Sequence, residues 1–277
     1  MPIAAAGDVE IYYETLGEPD DPPLLLIAGL GAQLISWHDE FCHSLVDRGF
    51  RVIRFDNRDC GLSTILDADA RYTMSHLAAD AVAVLDAVGV DAAHLAGHSL
   101  GGMIAQTVAI EHPTRVLSLT SIGASTGNPA FGRATDEAIA AFGKTVPTTI
   151  DEAVELDVAS RRVWASPSWF DEEEARAYFR RAHERSFTPG ASLRQLDAVL
   201  GAYDREPLLA QLTVPTLVVH GALDTLVGVD GGQRTAEVIP GAELLVIDGM
   251  GHDLPVQVWQ QVISAVTALA ARAAGAA

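Results

Sequence analysis

Short apolar runs bounded by Gly, Pro and Asp alternate with longer amphipathic stretches along most of this chain. The runs at Leu24–Ala28, Val52–Phe55, His94–Ala96, Leu117–Ile122, Thr216–His220 and Leu244–Ile247 are continuous rather than alternating. Such runs predict strands covered on both faces of a mostly parallel sheet. Val9–Leu16 is β-rich and partly alternating, which predicts an early antiparallel strand. Helical spacing fills the intervals over Trp37–Arg48, Thr73–Val88 and Leu100–Glu111, and Val256–Ala271 reads as a closing helix. Strand–helix alternation of this kind predicts an α/β fold: a mostly parallel central sheet with right-handed crossovers and helices on both faces.

Between Gly127 and Pro207 the strand rhythm stops and only helical patterns remain. Asp171 is placed to cap a helix, with Glu174 three residues on as its reciprocal partner. Ala175, Tyr178, Phe179 and Ala182 then form one apolar stripe, and Glu172 pairs with Arg176 at i,i+4. Leu193, Leu196, Val199, Leu200 and Tyr203 form a second stripe. Residues 131–207 also hold over half of the basic groups but under two-fifths of the acidic ones. The expected organisation is a core domain over residues 1–126 and 208–277, interrupted by a helical cap over residues 127–207.

Composition narrows the function classes. The 277 residues are 49% hydrophobic, enough for a sizeable core, and carry a net charge of −19. So acidic a chain has little with which to neutralise phosphates, which argues against a nucleic-acid partner and against a polybasic membrane anchor. Cys42 and Cys60 cannot build a disulfide framework or a structural zinc site. The opening MPIAAAGDVEIYYE has neither the basic nor the apolar region of a signal peptide, and no apolar run is long enough to span a bilayer, so the cytoplasm is the expected location.

The candidate chemistry starts at Gly97-His98-Ser99-Leu100-Gly101-Gly102, a G-x-S-x-G sequence set between a strand and a helix. A serine held above a sheet needs a sharp strand-to-helix turn. Glycines at 97 and 101 remove the Cβ atoms that would clash there. Serine needs a base, and the base needs an orienting acid. Asp224 follows the strand TLVVH and His252 follows the strand ELLVI, which puts both at the sheet edge that carries Ser99. Asp248 and Asp253 flank the histidine and leave alternatives to Asp224. An oxyanion site would use the N–H of Leu100 and, from the loop Ala28-Gly29-Leu30-Gly31, the N–H of Leu30. Gly29-Leu30-Gly31 also mimics a dinucleotide fingerprint, but Leu34 fills the third glycine position. Cys60 reads as a small buried hydrophobe, Arg161-Arg162 and Arg180-Arg181 as solvated helix faces. Trp164, Trp169, Phe170 and Phe187 fit either an acyl pocket or cap packing.

Together these motifs resemble the α/β-hydrolase superfamily, in its esterase/lipase branch with a helical cap. GHSLGG resembles the nucleophile elbow, HGALD the acid loop and GMGH the histidine loop. Asp56-Asn57-Arg58-Asp59-Cys60-Gly61-Leu62-Ser63 is similar to the family's D-x-R-G-x-G-x-S wall loop. Two positions depart: Ala28-Gly29 replaces the usual His-Gly, and Asp59 a usual glycine. The AG-x-G and NRDCGLST segments are most similar to actinobacterial lipase-type hydrolases and to the methylesterases of aromatic polyketides such as aclacinomycin. The resemblance implies a serine hydrolase acting on a small-molecule carboxylic ester through an acyl-enzyme, with no cofactor and no metal. The same triad also serves lactonases, carbon–carbon bond hydrolases and metal-free haloperoxidases or perhydrolases, and the fold also serves small-molecule receptors. Oligomeric state is not readable from the sequence.

Overall fold

The computed structural model describes residues 1–142 and 146–275. Its elements run β1 (Ile3–Ala6), β2 (Val9–Leu16), β3 (Pro23–Ile27), α1 (Asp39–Val46), β4 (Arg51–Phe55), α2 (Met74–Ala87), β5 (Ala93–His98), α3 (Leu100–Glu111) and β6 (Val116–Ile122). Then come α4 (Asp136–Ala141), α5 (Ile150–Trp164), α6 (Glu172–Arg185), α7 (Ser192–Leu200) and the short α8 (Glu206–Leu209). The chain closes with β7 (Thr216–Gly221), α9 (Val229–Val238), β8 (Glu243–Ile247) and α10 (Val256–Gly275). β1 and α9 had no counterpart in the sequence pattern, and α1 is shorter than the predicted stretch, preceded by a tight turn at Leu34–Ser36.

Eight strands form one sheet in the order β1-β2-β4-β3-β5-β6-β7-β8, with β1–β2 and β2–β4 antiparallel and every other pair parallel. Successive strand residues feed opposite cores. Leu25 and Ile27 of β3 and Ile53 and Phe55 of β4 face the cluster built with α2 and α3. Leu24 and Leu26, with Val52, face the cluster built with α1 and α10. Because both faces are covered, these strands read as continuous apolar runs rather than alternating ones. Among the described residues no helix is long and apolar enough to cross a membrane.

The sheet order places the site. β3 is followed in sequence by β4 on one side, while β5 lies on its other side. The chain therefore diverges between the C-terminal ends of β3 and β5, the kind of crevice where open α/β sheets bind ligands. The loop after β3 and Ser99 after β5 flank that opening. The long α4–α8 excursion leaves the same edge after β6 and returns at β7.

The excursion keeps one expected feature and departs from another. Asp171 caps α6 by accepting the N–H groups of Glu173 and Glu174 at 2.9 and 3.1 Å, and Glu172 pairs with Arg176. In α7, however, Leu193 and Leu200 are exposed while Gln195 and Ala198 are buried. That helix is seated by a polar anchor rather than by its apolar stripe.

Candidate active site

Ser99 sits at φ 56° and ψ −119°, one of two non-glycine residues with positive φ among those described. Strain of this kind costs about 1–3 kcal/mol and persists only where neighbours fix it. Here they do. The Ser99 N–H donates to the Ile122 carbonyl at 2.8 Å, tying the elbow to β6. A Cβ on Gly97 would lie 2.0 Å from the Gly101 carbonyl oxygen, and one on Gly101 2.0 Å from that of Ile27. The two glycines are thus required by close backbone packing.

The structure brings Ser99, Asp224 and His252 together. The Ser99 hydroxyl lies 2.9 Å from His252 Nε2, and His252 Nδ1 lies 2.7 Å from Asp224 Oδ2. An ionised carboxylate can only accept, so Nδ1 carries the proton and Nε2 is free to accept from Ser99. Asp224 Oδ1 accepts the N–H groups of Leu226 and Val227 at 2.9 and 2.8 Å. Burial opposes the Asp224 charge, but the imidazoles of His252 and His220 outweigh it and hold the carboxyl well below the usual range. The acid and histidine loops are also laced together: Ala222 N–H donates to the Ile247 carbonyl and Leu223 N–H to that of Met250. A Cβ on Gly221 would meet the Gly251 carbonyl oxygen at 2.3 Å.

The alternative carboxylates are elsewhere. Asp253 Oδ1 accepts both the N–H and the hydroxyl of Ser166, at 2.8 and 2.6 Å, and so ties the end of α5 to the histidine loop. Asp248 is exposed. The His98 ring lies tilted beside that of His252, with centroids 5.2 Å apart, and burial pushes its imidazole down to about 3, so it stands neutral there.

Of the two amides expected to face an oxyanion, Leu100 opens α3, where an N–H has no intrahelical acceptor. The Leu30 N–H makes no hydrogen bond to a described protein group. Gly29 brings its loop against the elbow: a Cβ there would stand 3.4 Å from Ser99 Cβ. The next residue is fastened from the helical excursion, because buried Gln195 of α7 accepts the Gly31 N–H at 2.8 Å and donates to the Arg58 carbonyl at 2.8 Å. Replacing Gln195 by Ala strands that buried carbonyl. It is expected to lower stability by about 1–3 kcal/mol, checked by urea unfolding.

The wall loop is held the same way. Asp56 accepts the N–H groups of Leu34 and Leu62 at 2.7 and 2.8 Å and pairs with Arg185 at 2.8 Å. Asp59 takes the other positive φ, 65°, which accounts for the glycine usual there. Its carboxylate accepts the Leu66 N–H and a bidentate pair from Arg194 at 2.9 and 2.6 Å. Burial pushes the Cys60 thiol far above its ordinary range, so it is no thiolate nucleophile. Gln195, Arg194 and Arg185 carried no signal in the sequence pattern; the displaced glycine at Asp59 was the one available hint.

A cavity of about 1120 Å³ opens over Ser99 and His252, and Leu30 also lines it. Trp164, Trp169, Phe170, Tyr178, Phe179 and Phe187 turn toward this space from the helical excursion. Arg161 lines it too and is only half exposed, so the solvated face expected at 161–162 belongs to Arg162 alone.

The sequence profile of the alpha/beta hydrolase fold matches residues 22–257, so the chain belongs to that family. Within it, the chain is 34% identical to the rhodomycin D methylesterase of Streptomyces peucetius, over 94% of this chain and 95% of that one. An esterase from Rhodococcus sp. ECU1013 superposes with a TM-score of 0.80 at 26% identity, covering 97% of this chain and all of that one. An enzyme that degrades N-acyl homoserine lactones matches at TM-score 0.71 and 30% identity, covering 97% and 98%.

Proposed function

We propose that this protein is a serine hydrolase that cleaves a carboxylic ester of a small or medium apolar molecule. The observation that carries the reading is one imidazole spanning a hydroxyl at 2.9 Å and a carboxylate at 2.7 Å beneath a large cavity. His252 takes the Ser99 proton as Oγ attacks the ester carbonyl, forming the C–O bond of a tetrahedral intermediate. The Leu30 and Leu100 amides stabilise its oxyanion, and Asp224 stabilises the imidazolium. His252 then protonates the departing alcohol, and water, deprotonated by the same imidazole, releases the acid from Ser99. A role for Leu30 gives Gln195 a catalytic consequence, since it fastens the residue beside that amide.

The helices α4–α7 act as a lid over residues 127–207, and their aromatic lining suits an apolar acyl group. Likeness to a methylesterase supports a methyl ester with a bulky acid half. Likeness to a lactone-degrading enzyme supports a second reading in which the ester is cyclic. The cytoplasm is the compartment we favour, consistent with two unpaired, buried cysteines. A fluorophosphonate probe is expected to label Ser99 stoichiometrically, read by peptide mass spectrometry. An unlabelled Ser99 in folded protein would point instead to a binding module.

A further inference from the structure

One face of α5 looks into the cavity through Ala153, Leu156, Asp157, Ser160, Arg161 and Trp164, the three- and four-residue spacing of a single helical stripe. Arg161 is the cation on that face. Arg162 and Arg176 pair with Glu172, Arg180 with Asp151, Arg185 with Asp56 and Arg194 with Asp59, while Arg181 lies exposed over the Tyr178 ring and does not line the cavity. Half-buried Arg161 forms no ion pair and no side-chain hydrogen bond among the described residues. Asp157, one turn earlier, is taken by His183 at 2.7 Å, and Glu174 lines the same cavity without pairing to it.

The described partner of Arg161 is the Phe179 ring, whose centroid lies 5.3 Å from Cζ. A cation over a ring face uses the plane of the guanidinium and leaves its N–H edge free. The Arg161 N–H donors open onto the cavity without a described protein acceptor, and an anionic oxygen there could accept two of them at once. The position is also right for a substrate group. Arg161 stands one helical turn before Trp164, whose carbonyl receives the His252 N–H at 2.6 Å. Arg161, Ser99 and His252 all line the one cavity.

Resting on the esterase reading above, we propose that Arg161 anchors a carboxylate carried by the acyl half of the substrate, distant from the scissile ester. Mono-p-nitrophenyl adipate and p-nitrophenyl hexanoate test it, since they share acyl length and leaving group and differ in the terminal carboxylate. The wild-type enzyme should favour the adipate ester in kcat/KM. Arg161→Gln should lower that preference roughly tenfold or more, chiefly through KM for the adipate ester, and Arg161→Lys, which keeps the charge but not the paired donors, should retain only part of it. A wild-type ratio at or below one, or a ratio unchanged in Arg161→Gln, would overturn the proposal. Failure of the esterase reading looks different: wild-type protein inert toward both esters, or ester turnover surviving in Ser99→Ala, removes the reaction and the role of Arg161 with it.

Discussion

Replacing Ser99 by Ala is expected to lower kcat for a p-nitrophenyl ester by about a million-fold, to the residual level that oxyanion donors and binding alone supply. No second nucleophile stands ready: Cys60 is fully protonated, and its Sγ–H is turned to the Gly31 carbonyl at 3.3 Å. The fold should be untouched. The Ser99 Oγ meets His252 as its protein partner, and alanine keeps both the Cβ and the strained φ of the elbow. Thermal unfolding should therefore match the wild type while fluorophosphonate labelling disappears. Activity above about one per cent of wild type in that variant would refute the nucleophile.

How much of this was legible in the sequence follows from what each feature needs. The buried strands announced themselves because cover on both faces leaves no polar alternation, as at Leu24–Ile27. The elbow was legible because its glycines answer to local backbone crowding, and the order Ser99, Asp224, His252 then matched the strand ends. β1 escaped because four residues make too short a period, and α9 because Gly231 and Gly232 weaken its helical pattern. Those glycines serve packing across the fold. A Cβ on Gly232 would stand 2.3 Å from His220 Nδ1, and His220 Nε2–H donates to the Val227 carbonyl at 2.7 Å beside Asp224.

The helical excursion was legible as helix and opaque as a surface. Its attachments are polar and long-range: Gln195 to Gly31, Arg194 to Asp59, Arg185 to Asp56, and Ser166 to Asp253. Each joins residues far apart in the chain, and periodicity reports only on neighbours three or four apart. These bonds grip the loops that carry Leu30, Cys60 and His252. Substitutions in α6 and α7 are thus expected to alter the proposed site without touching substrate.

The choice among three carboxylates yields the second large effect. Asp224→Asn is expected to lower kcat by about ten-thousand-fold with little change in fold. The Leu226 and Val227 N–H groups both donate to Oδ1, so the asparagine keeps its carbonyl there and turns its NH₂ toward His252 Nδ1. An amide donor at that point favours the tautomer protonated on Nε2, which cannot accept the Ser99 proton. The imidazolium formed during attack also loses the charge that stabilises it. Asp253→Asn preserves an acceptor for Ser166 and should cost less than about tenfold, because its carboxylate holds a loop and not the ring. Asp248→Asn, on the surface, should leave kcat within about twofold. Steady-state kinetics of the three variants separate the roles. A large loss in Asp253→Asn together with a small one in Asp224→Asn would reassign the acid, against the 2.7 Å contact between Asp224 and the His252 ring.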